Sequence, residues 1–477
     1  MEEHKRLALP EGEQSLRREL SEPAHKLGML LLLPAAALLA LAAASIAREA
    51  GAIQPVYTVA ALGGLFCLIL LARLLAAGEE KAWLVLLFIG AVGLRAAFAL
   101  KWTVYPHGEY LTGWNLALEL SRAGIGEWGT LIHNAGLSGG TLFALYQSLM
   151  IRLFGPTLAA VQLPNAVWGG VSCLLTALIG EKLSGSRLTG VIAGGILAFC
   201  PTLLFAAGVL TSMPLYTALL LAGVWLLVCR PFGRTLLNHG LAGVAWVLCL
   251  VLEPGLPVPL LGAVAWFLFT LPGRKRDGNL WKRAAVLTLI LLAAWLAAGG
   301  ASISGELSLR AMAERVRLQF ASYDYSWARV DGGGPTRNKI IATVMHPFLQ
   351  SYMLGVLLLA LWGTLAKVRQ VGRDALLSCG LLLAGVAAAM ALGADPVHNG
   401  WAIPVFALWG AAPARQLADW TVLMAAPEGG KGRKKAPPLP VPLRVVKLVV
   451  SVVVYAAMAA LVLIFFTGNG VFVYEAF

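Results

Sequence analysis

Charged side chains are scarce in this sequence, and long apolar runs take their place. Asp, Glu, Lys and Arg make up 13% of the 477 residues, whereas hydrophobic residues make up 59%. Because about a quarter of the residues in a soluble globular protein are charged, this composition excludes a soluble fold of this length. The apolar runs are about 17–25 residues long, which is the length of a membrane-spanning helix. The sequence therefore predicts an all-α polytopic membrane protein.

Cysteine is also scarce, and its placement excludes two kinds of site. The six cysteines all lie within apolar runs, and no two of them form a Cys-x-x-Cys pair. A disulfide framework or a zinc site would need characteristic spacings between the cysteines. We interpret the thiols as small buried groups that pack between helices. They are Cys67, Cys173, Cys200, Cys229, Cys249 and Cys379.

The apolar runs predict about thirteen transmembrane helices. The predicted spans are 27–47, 56–77, 83–100, 157–180, 188–207, 213–229, 236–252, 255–271, 284–301, 350–366, 375–393, 401–422 and 445–467. Segment 140–155 is apolar but short, and it contains Gln147 and Arg152. Counting it as a span would put the basic loops that follow it outside the cell. It is therefore predicted to be an interfacial helix on the outer surface of the membrane.

Basic residues indicate the orientation of the chain. The net charge is +13, but loops 208–212, 253–254 and 394–400 contain no Lys or Arg. The positive-inside rule places these loops outside and the basic loops, together with the amino terminus, in the cytoplasm. The charge is thus explained by membrane topology, and no nucleic-acid partner is predicted.

The same pattern divides the chain into five parts. They are a cytoplasmic amino-terminal segment (1–26), two accessory spans (27–82), a transmembrane core (83–426), a basic Pro-rich cytoplasmic linker (427–447) and a carboxyl-terminal span with a short outer tail (448–477). Two outer loops of the core, 101–156 and 302–349, are long enough to carry out chemistry.

The first outer loop contains a carboxylate close to the membrane. Glu109 lies a few residues beyond the end of the third span, and a stretch with helical spacing of its apolar residues follows it. A carboxylate at this interface can act as a general base or ligate a divalent cation. His107 and Glu109 alone are too few to indicate a metal site, so any metal stays unknown. An ordinary solvated acidic residue is the alternative interpretation.

Several short motifs follow one another in a characteristic order. They are Leu94-Arg95, Pro106, Glu109-Tyr110, Ala117, Gly124, Leu153-Phe154-Gly155, Gln162-Leu163-Pro164-Asn165, Gly185-Ser186-Arg187, Cys200-Pro201-Thr202 and Leu210–Leu215. Their order and spacing resemble those of the GT-C class of membrane glycosyltransferases, which includes the protein O-mannosyltransferases and the lipid A aminoarabinose transferase. The resemblance implies a GT-C-type helical bundle whose extracytoplasmic first loop contains interfacial helices, and it points to a bacterial plasma membrane.

The resemblance also implies a reaction at the outer surface. A polyprenyl-phosphate-linked sugar would be the donor, and Glu109 would accept a proton from the hydroxyl of a lipid, cell-wall polymer or glycan acceptor. Cationic side chains would offset the charge that develops on the leaving phosphate. The residues predicted to bind the donor phosphate or substrate are Lys101, His107, Arg122, Arg152, Arg329, Arg337 and His398. A requirement for a divalent cation is left open.

The chain departs from this family pattern at its acidic positions. Glu109 stands where the family usually has Asp, Met213 replaces a second acidic residue, and Glu253-Pro254 replaces an Arg-Pro pair. Glu253 is therefore the candidate for a second acid. The alternative is a catalytically inactive GT-C-like subunit that assists a membrane-protein partner in a glycosyltransferase complex. A transporter or polysaccharide-export component is a third interpretation.

Few ionisable residues fall deep inside the predicted spans, which disfavours an ion-coupled transporter. Arg95 is predicted to lie near the outer end of its span and to extend its guanidinium to the interface. Trp168, Gly169 and Gly170 are predicted to pack helices together. The expected partners are membrane lipid and a lipid-linked sugar.

Overall fold

The protein is built from helices. A computed structural model describes residues 36–37, 39–44, 62–66, 69, 82–101, 106, 109–135, 140–233, 235–270, 279–298, 346–369 and 400–425, and these residues contain no strand. The α-helices are α1 (Ala82–Lys101), α2 (Glu109–Arg122), α3 (Trp128–Ala135), α4 (Thr141–Phe154), α5 (Ala159–Ser184), α6 (Arg187–Ala198), α7 (Pro201–Gly208), α8 (Met213–Cys229), α9 (Thr235–Leu252), α10 (Val258–Thr270), α11 (Leu280–Ala297), α12 (His346–Arg369) and α13 (Ile403–Ala425). The predicted all-α class is confirmed.

The helices follow the apolar runs of the sequence closely. Helix α8 has the bounds of the predicted span 213–229, and α1 extends the predicted span 83–100 by one residue at each end. Within the described residues, four helices are long and apolar enough to cross a bilayer, or five if the bent pair α6–α7 forms one span. The four are α1, α5, α9 and α11. The predicted spans 375–393 and 445–467 lie outside the described residues, as do most of 27–47 and 56–77, so the total of thirteen stays a prediction.

One predicted span is wrong in shape. The run 188–207 forms two helices, α6 and α7, whose axes differ by 62°. The break falls at Phe199 and Cys200, and Pro201 occupies the first turn of α7. Proline is tolerated in the first turn of a helix, where its missing N–H would have no partner within the helix. In the interior of a helix it removes a hydrogen bond and its ring clashes with the preceding turn, so the helix is interrupted there. The apolar run therefore forms two short helices that meet at an angle just before Pro201, rather than one continuous span.

Helix α5 lies at the centre of the bundle and packs against α1, α6 and α8. The backbone of α6 lies directly against that of α5, because a Cβ atom at Gly190 would lie 2.3 Å from Ala177 O and 2.7 Å from Glu181 N. A Cβ at Gly170 would lie 2.3 Å from Val92 Cγ2 of α1. Small residues at such contacts let helix backbones approach closely within a membrane. The predicted packing role of the glycines in α5 is confirmed.

The outer faces of the bundle are apolar. Leu236 and Val244 of α9 are 69% and 58% exposed, and Leu289 and Leu296 of α11 are 64% and 62% exposed. Such contiguous apolar surface on long helices fits contact with lipid tails rather than with water. Each of these helices therefore presents one face to the bundle and another to the bilayer.

Candidate functional site

The turn between α7 and α8 receives polar contacts from the start of α5. Gln162 Nε2 donates a hydrogen bond of 2.7 Å to Gly208 O, and Asn165 Nδ2 donates one of 3.1 Å to Thr211 O. Both side chains are buried. The Gln-Leu-x-Asn motif of the sequence therefore holds this turn in place. The carbonyls at the turn accept hydrogen bonds from two side-chain NH2 groups that would be costly to bury alone.

A carboxylate reaches the same turn from the loop between α9 and α10. Ser212 Oγ donates a hydrogen bond to Glu253 Oε1. The loop is fixed by its own contacts, because Leu256 N donates to Glu253 O at 3.0 Å and Trp295 Nε1 of α11 donates to Pro254 O at 2.9 Å. Glu253 is half-buried. Its carboxylate is thus presented to the turn by a loop that Trp295 anchors to α11.

The segment before α13 completes the arrangement. A Cβ atom at Gly400 would lie 2.9 Å from Leu203 Cδ2 and 3.1 Å from Met213 Cγ. Trp401, the next residue, is fully buried. The residues just before α13 therefore pack against α7 and against the first residue of α8. We call Gln162, Asn165, Ser212, Met213, Glu253 and Gly400 the turn cluster.

The turn cluster is rich in hydrogen-bond acceptors. It contains the Glu253 carboxylate, and the buried Asn165 Oδ1 has no hydrogen-bond partner among the described residues. Met213 brings no charge, and its sulfur accepts a contact from Thr217 Oγ1 at 3.7 Å. The described residues contain no group of three or more His, Cys, Asp or Glu side chains that could hold a metal ion. The cluster is thus suited to ligands that donate hydrogen bonds.

The first loop is folded into a compact group of helices. Leu116 and Leu120 of α2 pack against Ala144 of α4, and Trp128 of α3 covers them. Arg152 Nη2 donates hydrogen bonds of 2.7 Å to both Leu120 O and Ala123 O, and its guanidinium lies 5.2 Å from the centre of the Trp128 ring.

Those two carbonyls belong to the carboxyl-terminal end of α2, where helix carbonyls lack partners and carry negative partial charge. Arg152 therefore holds α2, α3 and α4 together. The group is joined to the bundle by a hydrogen bond of 3.0 Å from Trp168 Nε1 of α5 to Tyr146 Oη of α4. The predicted helix in segment 140–155 is present as α4.

The predicted site residues fall into three groups. Glu253, Arg122 and Arg152 have described side chains, and Arg122 is exposed on the last turn of α2. Glu109 begins α2 and Lys101 ends α1, but their side chains lie outside the description. His107, Arg329, Arg337 and His398 lie outside the described residues. The catalytic and phosphate-binding roles of all these residues stay predictions.

Two contributors to the site were not foreseen. Ser212 was part of a recognised motif, but its pairing with Glu253 depends on a contact between loops that are 41 residues apart. Arg95 was predicted to reach the interface, and this prediction is wrong, because its side chain is 1% exposed and bonded to the broken end of α6. The signal for that contact was Pro201, which marks the break in an apolar run.

Replacing Arg152 by Gln should loosen the first loop, because it removes the charged donor from the carbonyls at the end of α2. A hydrogen bond to a charged group contributes about 1.5–3 kcal/mol when buried, and less at Arg152, whose side chain is exposed. We expect proteinase K to cut the region between α2 and α4 severalfold faster in the folded variant than in the wild type. Arg122→Gln removes an exposed cation from the same helix end and is the control. Equal cleavage rates in all three proteins would contradict the role given to Arg152.

Comparison with known proteins gives few matches. No protein-family model and no curated protein sequence matches the chain. Among solved structures, it is similar to the archaeal oligosaccharyltransferase AglB from Archaeoglobus fulgidus in complex with an inhibitory peptide and a dolichol-phosphate. The identity is 12% and the TM-score 0.48, over 79% of this chain and 55% of that one.

The oligosaccharyltransferase of Archaeoglobus fulgidus in its apo form is similar to the same degree. Its identity is also 12% and its TM-score 0.49, over 80% of this chain and 56% of that one. The chain thus spans little more than half the length of these two proteins.

Proposed function

We propose that this chain is a membrane glycosyltransferase of the GT-C type, which moves a sugar from a polyprenyl-phosphate donor to an extracytoplasmic acceptor. The observation that carries the proposal is the hydrogen bond between Ser212 and Glu253 beside Met213. At this turn the GT-C pattern has an acidic residue and this chain has Met213. A carboxylate from the next loop stands beside the turn instead, which supports an acidic site that has been rebuilt rather than lost.

The proposed reaction is a single displacement at the anomeric carbon. Glu109 accepts the proton of the acceptor hydroxyl while the hydroxyl oxygen forms a bond to that carbon. The bond from the anomeric carbon to the phosphate oxygen breaks, and the electron pair leaves with the lipid phosphate. Glu253, held by Ser212, accepts hydrogen bonds from sugar or acceptor hydroxyls and so fixes their orientation.

Positive charge near the leaving phosphate is proposed to come from several loops. The proposed phosphate-binding residues are Lys101, His107, Arg122, Arg329, Arg337 and His398. Arg152 was predicted for the same role, but its hydrogen bonds to Leu120 O and Ala123 O favour a role in shaping the loop. The proposed acceptor is a lipid, a cell-wall polymer or another glycan at the outer surface of a bacterial plasma membrane.

The test is sugar release from a radiolabelled polyprenyl-phosphate hexose by the purified protein. Hydrogen bonds to a charged group contribute about 1.5–3 kcal/mol, so Glu253→Gln should lower release by about 10- to 150-fold. Ser212→Ala leaves the carboxylate of Glu253 in place, so it should lower release by a smaller factor than Glu253→Gln. Equal release by the wild type and Glu253→Gln would remove Glu253 from the mechanism.

Failure of the folded wild type to release sugar from any common donor would overturn the proposal itself. Copurification with a second membrane glycosyltransferase would then identify the chain as a subunit without catalytic activity of its own.

A further inference from the structure

We propose that Arg95 is a positioning residue for the turn cluster. Its guanidinium binds the carbonyls at the end of α6, where the chain bends into α7. This contact fixes the position of the turn that contains Ser212. The inference concerns the site of the proposed function, and it depends on that function only for its kinetic readout.

Arg95 is buried without a described carboxylate partner. It lies six residues before the end of α1, which places it about 9 Å along the helix from Lys101. Its Nη1 donates hydrogen bonds of 3.2 Å to Ala91 O and Ala198 O, and its Nη2 donates one of 3.0 Å to Leu197 O. Burying a cation is strongly unfavourable unless a negative group compensates. The compensating group here is the end of a helix.

The broken end of α6 is suited to a guanidinium. Carbonyls at the carboxyl-terminal end of a helix carry negative partial charge. In a continuous helix, the N–H of residue 201 would donate to Leu197 O, but Pro201 has no N–H. Leu197 O accepts a long contact of 3.3 Å from Cys200 N and the shorter one from Arg95. The planar fork of Arg can bind two neighbouring carbonyls at once, which the single ammonium of Lys does less well.

Helix α5 makes room for this contact. A Cβ atom at Gly169 would lie 2.5 Å from both Cδ and Nε of Arg95. Gly169 therefore lets the side chain of Arg95 pass across α5 to reach α6. The same helix provides Gln162 and Asn165, which hold the other end of α7.

Helix α7 is thus fixed at both ends. Arg95 binds the residues just before it, and α5 binds Gly208 and Thr211 at and just beyond its end. Helix α7 has eight residues, and such a helix is about 12 Å long, so a rotation of about 10° at the break would move the turn by about 2 Å. A displacement of about 1 Å at an active site can reduce the rate by about 100-fold. The contact made by Arg95 therefore controls the placement of Ser212 and of the carboxylate bound to it.

Native cysteines report directly on this contact. Cys200 precedes α7 at the break, and both Cys200 and the more distant Cys249 of α9 are completely buried. The purified full chain would be treated with N-ethylmaleimide, and labelling of each cysteine would be followed by mass spectrometry. We expect Cys200 to react at least tenfold faster in Arg95→Met than in the wild type. Arg95→Lys should give an intermediate rate, and Cys249 should not change.

Gly169→Ala is the second variant, because it should displace the guanidinium while leaving it in the sequence. It is expected to raise labelling of Cys200 without affecting Cys249. Wild-type rates at Cys200 in Arg95→Lys and Gly169→Ala would overturn the inference. Parallel increases at Cys200 and Cys249 would also overturn it, since they would mean general loosening of the bundle.

The release assay gives the second readout. In Arg95→Lys, kcat should fall at least tenfold while KM for the donor changes less than threefold. In Arg95→Met, kcat should fall further than in Arg95→Lys. A raised KM with unchanged kcat would make Arg95 a donor-binding residue and overturn the positioning role. If the wild type releases no sugar, the labelling experiment still decides the role of Arg95, while the proposed function fails on its own.

Discussion

Glu109→Gln is expected to lower sugar release by about 10²–10⁴-fold, because an amide cannot accept the proton of the acceptor hydroxyl. Glu109 is the first residue of α2, directly after the loop that leaves α1. Gln has nearly the same size and still forms hydrogen bonds, so donor affinity should stay within about threefold of the wild type. The measurement is the release rate at saturating donor, together with donor binding by the same preparation.

The control for Glu109 lies on the same helix. Glu119→Gln removes an exposed carboxylate from α2 and should leave release unchanged. Glu109→Asp should retain part of the activity, since Asp is usual at this position in the family that the chain resembles. Release by Glu109→Gln at the wild-type rate would exclude Glu109 as the base, and a loss of donor binding in that variant would make it a binding residue.

Gly190→Ala is expected to lower the free energy of unfolding by about 3 kcal/mol, at the upper end of the range for overpacking. The new methyl group would lie 2.3 Å from Ala177 O and 2.7 Å from Glu181 N. These are backbone atoms of α5, so no side-chain rotation can relieve the contact, and α5 and α6 must separate. We expect the thermal midpoint of the detergent-solubilised protein to fall by about 3 °C.

Gly195→Ala is the matched control for this prediction. Gly195 lies in the same helix, α6, but a Cβ atom there would have no atom within 4 Å. Because Ala is favoured over Gly in a helix by up to about 1 kcal/mol, this variant should be as stable as the wild type or slightly more stable. Equal stabilities of the two variants would show that α5 and α6 are not in backbone contact at Gly190.

The sequence predicts the helices well where one apolar run forms one helix. Helix α8 is the clearest example, because its run is bounded by the turn at Thr211 and Ser212 and by Arg230. The run 188–207 was misinterpreted because hydropathy does not change at a bend. There the information lies in Pro201 and in Arg95, which is 102 residues from the carbonyl at Leu197, and their contact exists only after the helices have packed.

The sequence predicts the candidate site at the level of loops and not at the level of atoms. The charge pattern predicts that the Thr211–Pro214 turn and Glu253 lie on one side of the membrane, and in the structure Ser212 of this turn is hydrogen-bonded to Glu253. The resemblance identified the motif at Gln162 and Asn165 but gave it no role. Which amide bonds which carbonyl depends on the angle between α5 and α7, and no spacing in the sequence specifies that angle.

The bend between α6 and α7 also has a consequence for biogenesis. Neither the 12 residues of α6 nor the eight of α7 is long enough to cross a hydrocarbon layer of about 30 Å. During synthesis, α1 leaves the ribosome before α6 exists, so the charge of Arg95 enters the membrane without the carbonyls that later bind it. The insertion of α1 must therefore be supported by its other residues, and the charge becomes stabilising only when the downstream segment arrives. Formation of the turn cluster therefore depends on completion of the bundle.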